Sequence, residues 1–142
     1  MALRIKDCWD ELVKQTIALE KFQDVKAMPI NRVNDAAFLK TFPGLKMPAC
    51  LIVLLDGNNA ALGQESKRSR HWNAIIVDSD PDGSAWEKSI ELVDDFMDGV
   101  LDKQYLDNEL TVNGSCDVSA AFSTPRFSIY QISFTTEEAA TR

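Results

Sequence analysis

Two apolar runs constrain the fold of this chain more than any other feature. The first, "ACLIVLL" at residues 49–55, is continuous and lies between Pro48 and the turn residues Asp56-Gly57-Asn58-Asn59. It predicts a strand over residues 47–55 that is either covered on both faces or lies at an interface. The second, "WNAIIVD", predicts a strand over residues 72–78. With the polar residues 58–70 as the loop between them, the two strands are expected to pair as a long hairpin.

Two amphipathic helices flank these strands. Residues 3–21 carry apolar side chains at steps of three and four, broadened by Val13 and Ile17. A second helix is expected to begin near Ser84, which forms an S-x-x-E capping box with Glu87. The side chains predicted to face the core are Ile5, Cys8, Trp9, Leu12, Thr16 and Leu19 on the first helix and Trp86, Ile90, Val93, Met97 and Val100 on the second.

The remaining elements are shorter. A weak strand is predicted at residues 22–28, a helical turn at 36–39, and strands at 110–112, 117–122 and 126–135. Residues 137–142 are expected to be a frayed tail. The order of elements predicts a single α+β domain over residues 1–142, with a mostly antiparallel sheet and two main helices packed on one face.

Composition bounds the partners. The chain has 142 residues, 45% of them hydrophobic, and 22 Asp and Glu against 15 Lys and Arg give a net charge of −7. Such a balance disfavours binding to DNA or to an anionic membrane. Cys8, Cys50 and Cys116 have no C-x-x-C spacing, and the first residues lack the apolar core of a signal peptide. These features predict synthesis in the cytoplasm and two core thiols, Cys8 and Cys50.

Two features resemble chemical sites. His71 is the only histidine, beside three cations, and is expected at the edge of a loop with no chemical role. Asp78, Asp80 and Asp82 match the opening of a calcium loop, but the twelfth position is Ser89 where that loop needs a Glu. The interpretation as a helix-capping turn and that of a weak cation site both stay open, and no cofactor or metal is predicted.

Charge is segregated along the chain. The cations Lys67, Arg68 and Arg70 fall within four residues, whereas the acids Glu87, Glu91, Asp94 and Asp98 lie along one flank of the second helix. This pattern fits ordinary surface charge. It equally fits a head-to-tail contact in which the basic cluster of one copy meets the acidic flank of the next. A third option is a negatively charged partner, such as DNA passing through the lumen of a ring.

Four segments in this order resemble a known group of proteins. They are "DCWDELVKQ" at residues 7–15, "MPACLIVLLDG" at 47–57, "HWNAIIVD" at 71–78 and "RFSIYQISF" at 126–134. The chain is similar to the tail-terminator or tail-completion proteins, and related minor tail proteins, of tailed phages and prophages. The resemblance implies a non-enzymatic α+β subunit of a homo-oligomeric, often hexameric ring at the tail end or head–tail junction. It also implies other tail or head-completion proteins as partners, no membrane, and a location in the host cytoplasm and then the virion tail.

Two other functions are compatible with the residues. One is a bacterial adaptor that binds a peptide along an exposed sheet edge. The other is a hydrolase that uses Asp78, Asp80 and Asp82 with a divalent ion.

Overall fold

The computed structural model describes residues 4–28, 44–62, 65–80, 84, 86–120 and 127–139 of the chain. Two helices and six strands lie in this part. The helices are α1 (Ile5–Ala18) and α2 (Trp86–Val100), and the strands are β1 (Asp24–Met28), β2 (Ala49–Leu62), β3 (Glu65–Ser79), β4 (Lys103–Tyr105), β5 (Leu110–Ala120) and β6 (Phe127–Ala139). The predicted helical turn at residues 36–39 falls outside the described residues.

The six strands form one sheet in the order β1-β2-β3-β6-β5-β4. β1 runs parallel to β2, and the other four pairs of neighbouring strands are antiparallel. The two apolar runs of the sequence form the N-terminal half of β2 and the C-terminal half of β3. The predicted α+β class with a mostly antiparallel sheet is confirmed.

The β2–β3 hairpin is longer than predicted. Residues 58–70 were expected to be a loop, but β2 continues to Leu62 and β3 begins at Glu65, with Leu62 paired to Glu65. The register shifts between Leu54 and Asp56, which indicates a bulge. The prediction of a loop was wrong because β6 pairs with β3 as far as Lys67, and this long-range pairing overrides the turn-like composition of the segment.

Helix α1 (Ile5–Ala18) is shorter than the helix predicted over residues 3–21. Arg4 has extended backbone geometry, and its N–H donates to Asp7 Oδ2 at 3.2 Å, so the helix begins at Ile5. Glu20, two residues after the last helical residue, has a φ of 57°, a left-handed conformation that ends the helix.

Both helices pack on one face of the sheet. Trp9 of α1 meets Trp72 of β3 edge to face with ring centroids 5.8 Å apart, and Phe96 of α2 lies 5.8 Å from Phe134 of β6. The buried side chains of this layer are Cys8, Leu12, Cys50, Ile52, Trp72, Ala74, Ile76, Leu92, Val93, Phe96, Val100, Leu101, Leu110, Val112, Ile132 and Phe134. The prediction that Cys8 and Cys50 are core residues is confirmed.

The opposite face of the sheet carries a second, smaller apolar cluster. Its fully or nearly fully buried members are Leu51, Val53, Ile75, Val77 and Ile129. Alternate residues of the run "ACLIVLL" therefore point to opposite apolar layers. The first of the two predicted alternatives, a strand covered on both faces, is confirmed.

Helix α2 buries only part of the side that was predicted to face the core: Val93 and Val100 are buried and Met97 packs against the core, as predicted. The buried residues of α2 are Ser89, Leu92, Val93, Phe96 and Val100. Trp86 and Ile90, both expected in the core, are 53% and 37% exposed. A Cβ on Gly99 would overlap Leu19 Cδ2, so α1 approaches α2 closely at Gly99. This contact, together with burial of Leu92 and Phe96, rotates Trp86 and Ile90 away from the core. On α1, Ile5, which was predicted to face the core, and Ile17 are likewise 40% and 56% exposed.

The C-terminal strand also differs from its prediction. β6 extends through Glu137 to Ala139, where a frayed tail was expected. Glu138 is 1% exposed. Residues 140–142 lie outside the described part. Similarly, β5 runs without a break through Asn113 and Gly114, with a register shift between Val112 and Cys116.

Candidate interaction surface and buried charge cluster

The three cations of the basic cluster lie on β3 and have different environments. Lys67 pairs with Ala60 of β2 and Ala139 of β6 through the backbone, and its side chain lies outside the described part of the chain. Arg68 is half-buried. The Arg70 side chain is 8% exposed and points to the helix side of the sheet. Sequence reasoning grouped the three as one surface, but Arg70 belongs to the interior.

Arg70 forms an ion pair within the subunit. Its Nε donates to Glu138 Oε1 at 2.9 Å, and the side chain of Glu138 is 1% exposed. The Cys8 thiol donates to the same oxygen at 3.0 Å. One carboxylate oxygen of β6 thus joins β3 to α1. Removing one partner of such a buried ion pair lowers the stability strongly, because the other charge is left buried and uncompensated.

The two buried thiols are unsuited to nucleophilic chemistry. Burial, reinforced by the hydrogen bond and the negative charge of Glu138, raises the pKa of Cys8 far above its ordinary value. Burial alone raises the pKa of Cys50 similarly. Because the thiolate is the reactive form, both residues serve as packing groups. Burial and the charge of Asp117 also raise the pKa of Cys116, whose thiol donates to Met97 Sδ at 3.4 Å.

The acidic residues predicted for α2 are all on its outer side. Glu87, Glu91, Asp94 and Asp98 are exposed. At 100° per residue they occupy one continuous arc of the helix, opposite the buried residues Ser89 and Phe96. The acidic arc is therefore exposed to solvent, as the sequence indicated. Within the subunit, Arg70 pairs with Glu138 of β6 and not with the acidic arc.

An exposed apolar patch borders this acidic arc. Trp86 and Ile90 lie one helical turn apart on the flank of α2 that also carries Met97, and Met97 contacts Cys116 of β5. Val118 lies two residues after Cys116 on β5 and pairs with Ile132. Its side chain therefore faces the helix side of the sheet, as that of Cys116 does. Val118 is 43% exposed. We call Trp86, Ile90 and Val118 the α2–β5 patch.

Two contacts of α2 show which part of the sheet its N-terminal half covers. Lys88 Nζ lies 3.7 Å from Asp78 Oδ2 near the end of β3. Phe96 packs on Phe134 farther along β6. The N-terminal half of α2 therefore runs over the end of the sheet that holds Val118, which pairs with Ile132. Nothing in the periodicity of α2 distinguished Trp86 and Ile90 from core residues, so sequence reasoning missed this patch.

Two strand segments have a neighbour on one side only within the described chain. β1 pairs with β2 over residues 49–53, so residues 56–62 of β2 pair with β3 alone. β4 pairs with β5 over residues 110–112, and residues 116–120 of β5 pair with β6 alone, after the register shift that spans residues 113–115. We call these segments the β2 edge and the β5 edge. They lie toward opposite ends of the sheet, and the β5 edge runs beside the α2–β5 patch.

Only part of the aspartate cluster lies in the described ranges. Asp78 is buried, accepts a hydrogen bond from the Ser79 N–H at 2.9 Å, and lies near Lys88 Nζ. Asp82 lies outside the described residues. Within the described ranges, no group of three or more His, Cys, Asp or Glu side chains is arranged to hold a metal ion.

The lone histidine lines a shallow cleft. His71 is exposed in the middle of β3, not at the edge of a loop as predicted. Beside it, Ser133 Oγ donates to Asn73 Oδ1 at 2.7 Å and Asn113 Nδ2 donates to Thr135 Oγ1 at 2.7 Å. These bonds tie the cleft's polar groups into the sheet. The cleft has a volume of about 440 Å³ and is lined by Leu55, His71, Trp72, Ser115, Cys116, Asp117, Ser133, Phe134 and Thr135.

Comparison with known proteins identifies no family: no protein-family model matches the sequence, and no curated protein is a detectable relative. In the described part of the chain, neither helix is both long and apolar enough to cross a membrane.

Proposed function

We propose that this protein is a non-enzymatic structural subunit that assembles with copies of itself. The observation that carries the proposal is the α2–β5 patch. Trp86, Ile90 and Val118 are 53%, 37% and 43% exposed on neighbouring elements. Large apolar side chains grouped on a surface and bordered by charge are typical of an interaction site.

The acidic arc beside the patch supports the same proposal. Glu87 and Asp94 follow the apolar flank of α2 directly around the helix. An apolar centre with a charged border is the usual composition of a protein interface, in which the charges set orientation and encounter rate. A partner that brings positive charge to this border is therefore favoured.

Several side chains that could in principle take part in catalysis form hydrogen bonds or ion pairs within the fold. The Cys8 thiol and the Glu138 carboxylate belong to the buried cluster with Arg70. Asp78 lies beside Lys88 at the start of α2. These contacts favour structural roles for the residues from which a nucleophilic or carboxylate site would be built.

The setting follows from the resemblance in the sequence. We propose a phage or prophage tail protein of the terminator or minor-tail type, in a homo-oligomeric ring at the tail end or the head–tail junction. Its partners would be other tail or head-completion proteins. It would reside in the host cytoplasm during assembly and afterwards in the virion tail.

The test is the oligomeric state as a function of salt. Light scattering after gel filtration, with negative-stain microscopy, is expected to detect closed rings. Assembly should weaken between about 0.1 M and about 1 M NaCl, because the Debye length falls from about 10 Å to about 3 Å. The variant Glu87→Gln/Asp94→Asn should lose most of this salt dependence, whereas Lys6→Gln, in an exposed pair with Asp10 on α1, should keep it. A protein that stays monomeric at high concentration in low salt contradicts the proposal.

The β5 edge also favours the second predicted function, an adaptor that binds a peptide by strand addition. This alternative predicts a monomer or dimer that recovers a host protein from a lysate, not tail proteins.

A further inference from the structure

We propose that the β5 edge, together with the α2–β5 patch, is the docking site for the β2 edge of a second copy of this chain. The sheet of one copy would then continue into the sheet of the next. This inference rests on the proposed function, because it names the surfaces through which self-assembly occurs.

The backbone supplies the first argument. Within the described chain, residues 116–120 of β5 and residues 56–62 of β2 each pair with one strand only. A strand edge presents a row of N–H and C=O groups that can pair with another chain. The two edges are of similar length and lie toward opposite ends of one sheet. Joining unlike edges head to tail gives a heterologous contact, which closes into a ring when the rotation allows.

The side chains around the β5 edge supply the second argument. A strand added beyond β5 would lie about 4.8 Å from it in the plane of the sheet, and Val118 and Ala120, both exposed, would flank it on the helix face. Its residues on the helix side would pack against Trp86 and Ile90. The added strand would thus cover part of the apolar surface that Trp86, Ile90 and Val118 leave exposed.

The β2 edge suits this position. Its sequence, "DGNNAAL", contains no proline and a single charge, at Asp56. Its partner in the hairpin carries Lys67 and Arg68 opposite Ala60 and Asn59. A docked hairpin therefore brings this basic segment of β3 next to the strand that enters the site, with Arg68 on the same face of the sheet as Arg70, which is the face that carries the helices. The acidic arc of α2 lies beside the patch, so the charges are complementary.

Charge argues against pairing of two like edges. A symmetric contact between two β5 edges would bring Asp117 of each copy together and set two acidic helices side by side. Like charges directly opposite each other destabilise strand pairs and interfaces. The second copy is therefore expected to present its β2 edge and not its β5 edge.

Cross-linking between two different variants tests the inference. In a Cys116→Ala background, which leaves the two buried thiols Cys8 and Cys50, one chain carries Ala60→Cys and another carries Ser119→Cys. After mixing, unfolding and refolding together, mild oxidation is expected to link one chain of each kind. Neither variant alone should form the link. Mass spectrometry of the digested product identifies the joined peptides.

The outcomes separate the two proposals. Rings or other oligomers without a link between positions 60 and 119 would overturn this inference and leave self-assembly standing. A link formed by Ser119→Cys alone would likewise overturn it in favour of a symmetric contact. A strictly monomeric protein overturns both proposals.

A matched pair of surface variants gives a second measurement. Val118→Lys places a charge in the docking site, whereas Ile17→Lys places the same charge at a 56% exposed position on α1. Val118→Lys is expected to raise the dissociation constant of assembly at least ~tenfold, while both variants keep the wild-type urea midpoint as monomers. Equal assembly by the two variants contradicts the inference.

Discussion

Glu138 is the residue whose replacement tests the structure most directly. Its side chain is 1% exposed, and its Oε1 accepts hydrogen bonds from Arg70 Nε at 2.9 Å and from the Cys8 thiol at 3.0 Å. Glu138→Gln preserves the shape and one acceptor oxygen but removes the charge. Arg70, 8% exposed, would then be a buried cation with no compensating anion in this cluster.

The expected loss of stability follows from burial. Breaking a buried ion pair by removing one charge costs about 3–5 kcal/mol. Since Gln can still accept a hydrogen bond, we expect the lower end, about 3 kcal/mol. A typical domain has only about 5–15 kcal/mol of total stability. With a urea slope of about 1–3 kcal/mol per molar, the unfolding midpoint should fall by about 1–3 M, with little dependence on salt because solvent does not screen the pair.

Two control variants separate the loss of the buried charge from other effects. Glu137 is exposed on the same strand, so Glu137→Gln should change the stability by less than about 0.5 kcal/mol. The double variant Arg70→Met/Glu138→Met replaces both charges with apolar side chains and should be much closer to wild type than Glu138→Gln. Urea denaturation followed by circular dichroism measures all three. If Glu138→Gln unfolds at the wild-type midpoint, the buried pair does not stabilise the protein as argued.

Two further predictions concern α2 and the thiols. Phe96→Ala should cost about 3–5 kcal/mol, whereas Trp86→Ala, at an exposed position of the same helix, should cost less than about 1 kcal/mol in the monomer; equal losses in urea denaturation would contradict the observed orientation of α2. At pH 8 a thiol reagent should leave Cys8 and Cys50 unmodified in the native protein and modify all three cysteines in urea, the third being Cys116. Burial raises the pKa of both buried thiols, so the folded state favours their neutral form. Thiols of the unfolded chain ionise above about pH 8.5, so the stability should fall as the pH rises further. The expected slope is up to about 1.4 kcal/mol per pH unit for each buried thiol. Denaturation of Cys50→Ala between pH 8 and pH 10 should show a shallower decline than wild type, and an unchanged slope would oppose this assignment.

Local sequence patterns predicted the elements that depend on short-range periodicity. The run "ACLIVLL" predicted a strand covered on both faces or lying at an interface, and Leu51 and Ile52 do lie in different apolar layers. The spacing of apolar residues predicted both helices to within a few residues. In each case the signal lies in neighbouring residues, and it survives folding because the buried face of an element needs apolar side chains wherever the element packs.

Other features depended on contacts that the local pattern does not contain. The apolar arc of α2 is wider than the side that the sheet covers, so the pattern could not distinguish Trp86 from Phe96. The contact of Leu19 with Gly99 is one of the interactions that decide which of them is buried. Similarly, residues 58–70 have the composition of a loop but are strands, because β3 acquires partners on both sides.

The sequence by itself determined the α+β class, the two central strands, the core positions of Cys8 and Cys50, and the acidic side of α2. Only the tertiary structure decided that Arg70 leaves the basic cluster to pair with Glu138, a residue 68 positions away, and that Trp86, Ile90 and Val118 stay exposed. The physical reason is range. The periodicity of a segment follows from the residues within it, whereas an ion pair, an uncovered flank or a strand edge exists only once distant segments have packed against each other.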